Sequence, residues 1–233
     1  MSKLLYPPVI TGIRSALFIQ PHPDDNEIGA GGTMARLVSN GCKVYCLTVT
    51  DGRLGGENTK FSEEEVASVR RKEAIEAMKT IGAENAGFLE YWDQTDATID
   101  EIAESIRCVI EKIKPDSIFT VDPELRNEWH SDHIKVGRAT NLAVQLAKHK
   151  VSSIAYYFTD IPNTNFNITD YYNIKIQAIN CHKSQLTEEF FGFLKEYFYE
   201  ISKDSEFDQT EKLKIISLIH THCWTLKLNE LSY

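Results

Sequence analysis

Ser15-Ala16-Leu17-Phe18-Ile19-Gln20-Pro21-His22-Pro23-Asp24-Asp25-Asn26-Glu27 carries an apolar run straight into an imidazole and two adjacent carboxylates, with Gly29, Gly31 and Gly32 close behind. Residues 14–20 read as a first strand, and 29–40 as the helix after it, its end marked by Asn40-Gly41. A buried strand that opens into a glycine-rich turn and a helix is where α/β proteins usually build their sites. Three readings of the turn are open. Asp24 or Asp25 caps the next helix, or the glycines cradle a dinucleotide, or the acidic residues hold a cation. Charge disfavours the dinucleotide, because a pyrophosphate sits on bare backbone N–H groups and would here face Asp24, Asp25 and Glu27. The glycines also miss the G-x-G-x-x-G spacing.

Outward from this turn, strand and helix patterns alternate. Residues 43–49 read as a second strand, followed by a loop marked by Asp51-Gly52 and Gly55-Gly56. Ser62 to Ile81 is the clearest helix, with Ser62 as N-cap, Glu65 as its capping-box partner and Gly82 as stop. Val66, Val69, Glu73, Ala77 and Ile81 are expected on one face. A strand at 86–90, a helix at 99–113, a strand at 117–121, a helix at 132–148 and a strand at 152–158 follow. This order predicts an α/β fold, Rossmann-like and three-layered (α/β/α), with a mostly parallel sheet and right-handed crossovers. Beyond 159 the expectation is a loop over 160–169 and helices over 170–182, 186–202 and 209–222. The chain reads as a single domain, a core over 1–185 with a helical C-terminal extension over 186–233 packed on the core or on a partner subunit. Phe190, Phe191, Phe193, Leu194, Tyr197, Phe198 and Ile201 crowd that extension. They suit ordinary core packing, with a homo-oligomer contact as the alternative.

Composition narrows the function. A chain of 233 residues, 42% hydrophobic, buries one sizeable core. Its net charge of −9 argues against nucleic acid and anionic membrane surfaces as partners. No apolar run approaches the roughly 20 residues needed to span a bilayer, and no leader pattern is visible, so a cytoplasmic location is expected. Cys42, Cys46, Cys108, Cys181 and Cys223 are odd in number and lack a C-x-x-C pair, which predicts reduced cysteines rather than a disulfide framework or zinc knot.

A second chemical cluster, His130-Ser131-Asp132-His133, follows the strand at 117–121. His130 and His133, three apart at a helix start, share one face. Both clusters sit at carboxyl ends of strands expected to be neighbours where the sheet order reverses. Imidazoles and carboxylates converging there are the donor set of a catalytic Zn²⁺ that keeps a position open.

At these residues the chain resembles the PIG-L or LmbE-like family of zinc-dependent deacetylases, which act on N-acetylglucosamine-type sugars. The resemblance rests on H-P-D-D-x-E-x-G-x-G-G at His22 to Gly32, T-D-G at Thr50 to Gly52, and R-x-x-E at Arg70 to Glu73. It continues through H-x-D-H at His130 to His133 and K-x-x-A-x-x-x-H-x-S-Q from Lys175 to Gln185. It implies that His22, Asp25 and His133 hold one Zn²⁺ per subunit, other divalent metals being possible, while Asp24 stays free as general base. It further implies that a protonated His130 steadies the oxyanion, with Asp132 orienting an imidazole. The expected reaction is hydrolysis of the N-acyl group, an acetyl, of an amino-sugar derivative. The alternatives are another amide, such as a thiol-sugar conjugate or antibiotic intermediate, or a non-catalytic sugar-binding protein.

For the substrate, Arg70 matches the family's helix arginine, suited to a sugar hydroxyl or an anion but also readable as a solvated charge. Arg53 stands where family members often carry an acidic residue and suits a phosphate or carboxylate. Arg126 is expected to add to that pocket. Trp92, Trp129, Tyr157 and Phe158 are placed to stack on a pyranose ring, and His182 matches a late family histidine expected to line the pocket.

Overall fold

A computed structural model describes residues 12–56 and 60–218. Its seven strands are β1 (Ser15–Gln20), β2 (Lys43–Thr50), β3 (Glu84–Tyr91), β4 (Ser117–Val121), β5 (Ser153–Tyr157), β6 (Thr164–Asn167) and β7 (Thr210–Ser217). Its helices are α1 (Asp25–Ser39), α2 (Glu63–Ile81), α3 (Ile99–Ile113), α4 (Ser131–Leu146), α5 (Tyr172–Ile179) and α6 (Glu188–Ser202). The strands form one sheet in the order β3-β2-β1-β4-β5-β7-β6. β1 pairs in parallel with β2 on one side and β4 on the other, so the order reverses between β1 and β4 as expected.

Alternation along β1 feeds two cores. Ala16 and Phe18 point into a cluster with Met34 and Leu37 of α1, Ala77 and Met78 of α2, and Ala178 of α5. Leu17 and Ile19 point into another with Ile102 and Ile106 of α3 and Val136 and Ala139 of α4. Burial on both faces explains why the central strands read as unbroken apolar runs. Ser62 and Thr98 each complete a reciprocal capping box, with Glu65 and Glu101. The face α2 buries is Val66, Arg70, Ala74, Ala77, Met78 and Ile81. Arg70 and Ala74, rather than Val69 and Glu73, complete the expected stripe.

Two expectations are corrected. The 160–169 loop contains β6, and the helix expected over 209–222 is instead strand β7 through Ser217, its last positions lying outside the described residues. Glu211, Leu213 and Ile215 are buried while Lys212 and Lys214 are half-buried, a period of two that suits a strand. β7 pairs antiparallel with both β5 and β6, closing the edge β5 would otherwise expose. The segment after 185 thus contributes a helix and a sheet strand.

β7 also repairs a break in α1. Ala30 leaves helical geometry (φ −147°, ψ 18°), and the buried Glu211 accepts the N–H groups of Gly32 (2.9 Å) and Thr33 (2.7 Å) and the Lys175 ammonium (2.6 Å). Gly29 lies one residue before the break and against Tyr157, where a Cβ would come within 2.2 Å of the ring. That ring is fully buried and its hydroxyl donates to Asn26 Oδ1 (2.9 Å), so it cannot swing aside cheaply. Gly29→Ala is expected to destabilise the fold by about 1–3 kcal/mol, read as a lower urea midpoint at unchanged slope.

Candidate metal centre

The turn after β1 is laced to its surroundings. Thr50, at the end of β2, donates both its N–H and its hydroxyl to Pro21 O (2.8 Å each). Gln20 accepts Asn26 N–H (2.9 Å) and donates to Thr48 Oγ1 (2.9 Å). His22 N–H donates to Asp25 Oδ2 (2.8 Å). Asp24 occupies the N-cap position of α1 but makes no capping hydrogen bond. Its backbone has φ 128°, a strained conformation for a residue with a side chain. Arg70 holds it there, donating to Pro23 O (2.8 Å), Gly52 O (2.7 Å) and Asp24 Oδ2 (3.2 Å).

His130 and His133, at the start of α4, meet His22 across the β1–β4 crevice. The His22 ring centre lies 4.3 Å from that of His130 and 5.4 Å from that of His133. Asp25 stands between His22 and His133, with Oδ2 3.3 Å from His22 Nδ1 and Oδ1 3.3 Å from His133 Nε2. Each ring's remote nitrogen faces further carboxylates. His133 Nδ1 is 3.0 Å from Glu128 Oε2, and His22 Nε2 is 3.3 Å from Asp93 Oδ1 and 3.4 Å from Asp132 Oδ2. Asp132 therefore stands behind the His22 imidazole.

The electrostatics are those of a cation site. Burial opposes charge on His133, but Asp25 and Glu128 outweigh it and push its pKa up to about 9. His22 is likewise raised well above the ordinary value, burial being overcome by Asp132, Asp25 and Asp93. Asp25 is held well below the carboxylate range, burial being overcome by His133 and His22. Asp24 moves the other way, raised by burial with Arg70 opposing. His130 is lowered by burial and then by the neighbouring His22 and His133 charges.

The residues fit a zinc ion. Imidazole and carboxylate are the donor types a zinc ion takes, and Asp25 reaches His22 Nδ1 through Oδ2 and His133 Nε2 through Oδ1, each at 3.3 Å. Carboxylates on the remote nitrogens are the usual support of ligating histidines. Nitrogens of His22, His130 and His133 also lie within 4.8 Å of one another.

The remaining expected site residues scatter. Arg70 is buried, with both terminal nitrogens spent on the turn, so it is neither solvated nor open to a ligand. Arg53 is met by Asp51 (2.7 Å) and Glu64 (3.7 Å) and lies over Trp92. It lines a cavity of about 390 Å³ with Pro23, Thr50, Asp51 and Trp92. Arg126 points to solvent beside Asp160 and joins no ligand cluster. Trp129 is 86% exposed beside His130, and Trp92 is 64% exposed. Tyr157 belongs to the core, whereas Phe158 lies parallel to His133, 6.0 Å between ring centres. His182 is buried 3.5 Å from Glu27 instead of lining an open pocket. Sequence reasoning missed Asp93 and Glu128. Asp93 follows the carboxyl end of β3, the same strand-end signal that marked the other clusters, and Glu128 stands two residues before His130.

Comparison with known proteins finds deacetylases of related sequence and fold. Residues 17–144 match the PIG-L family, described as GlcNAc-PI de-N-acetylase. The diacetylchitobiose deacetylase of Thermococcus kodakarensis is 29% identical over 205 residues, 82% of this chain and 77% of the relative. A probable N-acetyl-alpha-D-glucosaminyl L-malate deacetylase 2 of Bacillus cereus is 28% identical, over 74% of this chain and 84% of the relative. The solved N,N'-diacetylchitobiose deacetylase of Pyrococcus horikoshii superposes with a TM-score of 0.82 at 29% identity, covering 92% of this chain and 88% of that one.

Proposed function

This chain belongs to the PIG-L family, and from that premise we propose that it is a Zn²⁺-dependent hydrolase that removes the N-acetyl group of an amino-sugar derivative of the N-acetylglucosamine type. The observation that carries the reading is Asp25 set 3.3 Å from both His22 and His133, with its neighbour Asp24 turned to Arg70 instead. His22, Asp25 and His133 would hold the ion. When bound, Zn²⁺ would polarise the amide carbonyl and acidify the attacking water.

Asp24 accepts the water proton and returns it to the departing nitrogen. The C–N bond breaks, giving acetate and a free amine. His130, its ring centre 4.3 Å from that of His22, would donate to the carbonyl oxygen as charge develops there. Trp129 and Trp92, exposed beside His130 and Asp93, suit the apolar face of a pyranose ring. A reduced, cytoplasmic setting belongs to the same reading, supported by the unpaired Cys42, Cys46, Cys108 and Cys181. So does a homo-oligomer through α6, on which Phe193 and Tyr199 are exposed.

The deciding experiment incubates metal-replete protein with N-acetylated glycosides, N-acetylated thiol-sugar conjugates and N-acetyl amino acids. Acetate with a stoichiometric free amino sugar is the expected product, and release from none of the glycosides overturns the reading. Glu128→Gln removes the carboxylate supporting His133 and is expected to weaken zinc binding about 10–100-fold, measured by competition with a chelating dye.

A further inference from the structure

Two carboxylates converge on one nitrogen at the far side of His22. Nε2 lies 3.3 Å from Asp93 Oδ1 and 3.4 Å from Asp132 Oδ2. Neither approach makes a well-aligned hydrogen bond, and His22 Nε2 and Asp132 Oδ1 are buried without a hydrogen-bond partner. One N–H serves at most one of two carboxylates well. The remaining support is thin. Asp93 Oδ2 accepts Leu54 N–H at 3.3 Å and Asp132 Oδ2 accepts Gln94 N–H at 2.7 Å. Among the described residues, His22 is the only basic side chain within ion-pair distance of either acid.

Burying two carboxylates against a single ring is costly unless further positive charge is shared between them. The three donor atoms lie within 4.8 Å of one another. Imidazole with two carboxylates is a donor set that suits Zn²⁺.

We propose that His22 Nε2, Asp93 and Asp132 form a second, weaker divalent-cation site, back to back with the His22–Asp25–His133 site across the same imidazole. The second ion takes the place of the Nε2 proton, which leaves for solvent, so the site fills only when metal is in excess. Filling it draws Asp93 and Asp132 off the ring they stand behind. The site shares His22 with the catalytic centre but uses neither Asp25 nor His133, so Asp25→Asn tells the two apart.

The test is a stepwise Zn²⁺ titration of the metal-stripped full chain against a competing chelator, with anomalous diffraction at the zinc edge from crystals held in excess zinc. Wild type is expected to bind two equivalents in separate steps, with a second anomalous peak between Asp93 and Asp132. Asp93→Asn and Asp132→Asn, each checked for folding by circular dichroism, are expected to lose the weaker step. Asp25→Asn is expected to lose the tighter step and keep the weaker one. Saturation of wild type at one equivalent, a second peak elsewhere, or a weaker step that survives in both Asp93→Asn and Asp132→Asn overturns the proposal.

Discussion

Asp24→Asn is expected to retain zinc and lose about 10²–10⁴-fold in kcat, the contribution typical of a positioned general base. The amide keeps the volume and a hydrogen-bond acceptor for Arg70 while removing the group that takes the proton. Since Asp24 sits 3.2 Å from Arg70 and off the Asp25 cluster, metal content measured by elemental analysis should match wild type. The pH profile carries the same assignment. Burial raises the Asp24 pKa, with Arg70 opposing. The base is the ionised form, so kcat/KM should fall as pH drops through that raised value, an acidic limb placed above the ordinary carboxylate range. Asp24→Asn turnover within a few-fold of wild type would remove Asp24 from the mechanism.

The second large effect concerns stability. Glu211→Gln leaves the Lys175 ammonium buried without its counter-charge, and breaking a buried pair this way costs about 3–5 kcal/mol. Both side chains are almost fully buried, at 2% and 3% exposure. Lys175 is already lowered by burial, with Glu211 opposing. Glu211 also accepts from Gly32 N–H and from Thr33 N–H and hydroxyl, so the loss should spread to the second half of α1. Adding Lys175→Met should recover part of the stability, because the unpaired charge is gone. Urea unfolding at a common slope reads both changes. A Glu211→Gln variant within about 1 kcal/mol of wild type, below the range for a broken buried pair, would show that the pair is not what holds β7 to α1 and α5.

The parallel half of the fold was legible because its signals are local. The apolar runs of β1, β4 and β5 are buried on both faces, and the capping boxes at Ser62 and Thr98 involve residues three apart. The C-terminal part was less so. In Glu211-Lys212-Leu213-Lys214-Ile215 the alternation is short and its inward positions include a glutamate. A buried Glu211 makes sense only beside Lys175 and the broken turn of α1, which are distant in sequence. Substrate residues fared similarly. The arginines at 53, 70 and 126 advertise charge, yet each has a carboxylate partner in the fold, Asp51, Asp24 and Asp160.

The chain alone specified the alternating architecture, the crevice between β1 and β4, and the two clusters at His22–Asp25 and His130–His133, because strand-end position and residue chemistry are both written in contiguous segments. Tertiary structure alone decided which nitrogen of each histidine faces Asp25 and that Asp24 turns to Arg70. It also decided that Asp93 and Glu128 stand behind the imidazoles. Those outcomes depend on approaches of 3.0–3.3 Å, most of them between groups tens of residues apart. Separations of that kind are set by how packed layers meet, and no local pattern encodes them.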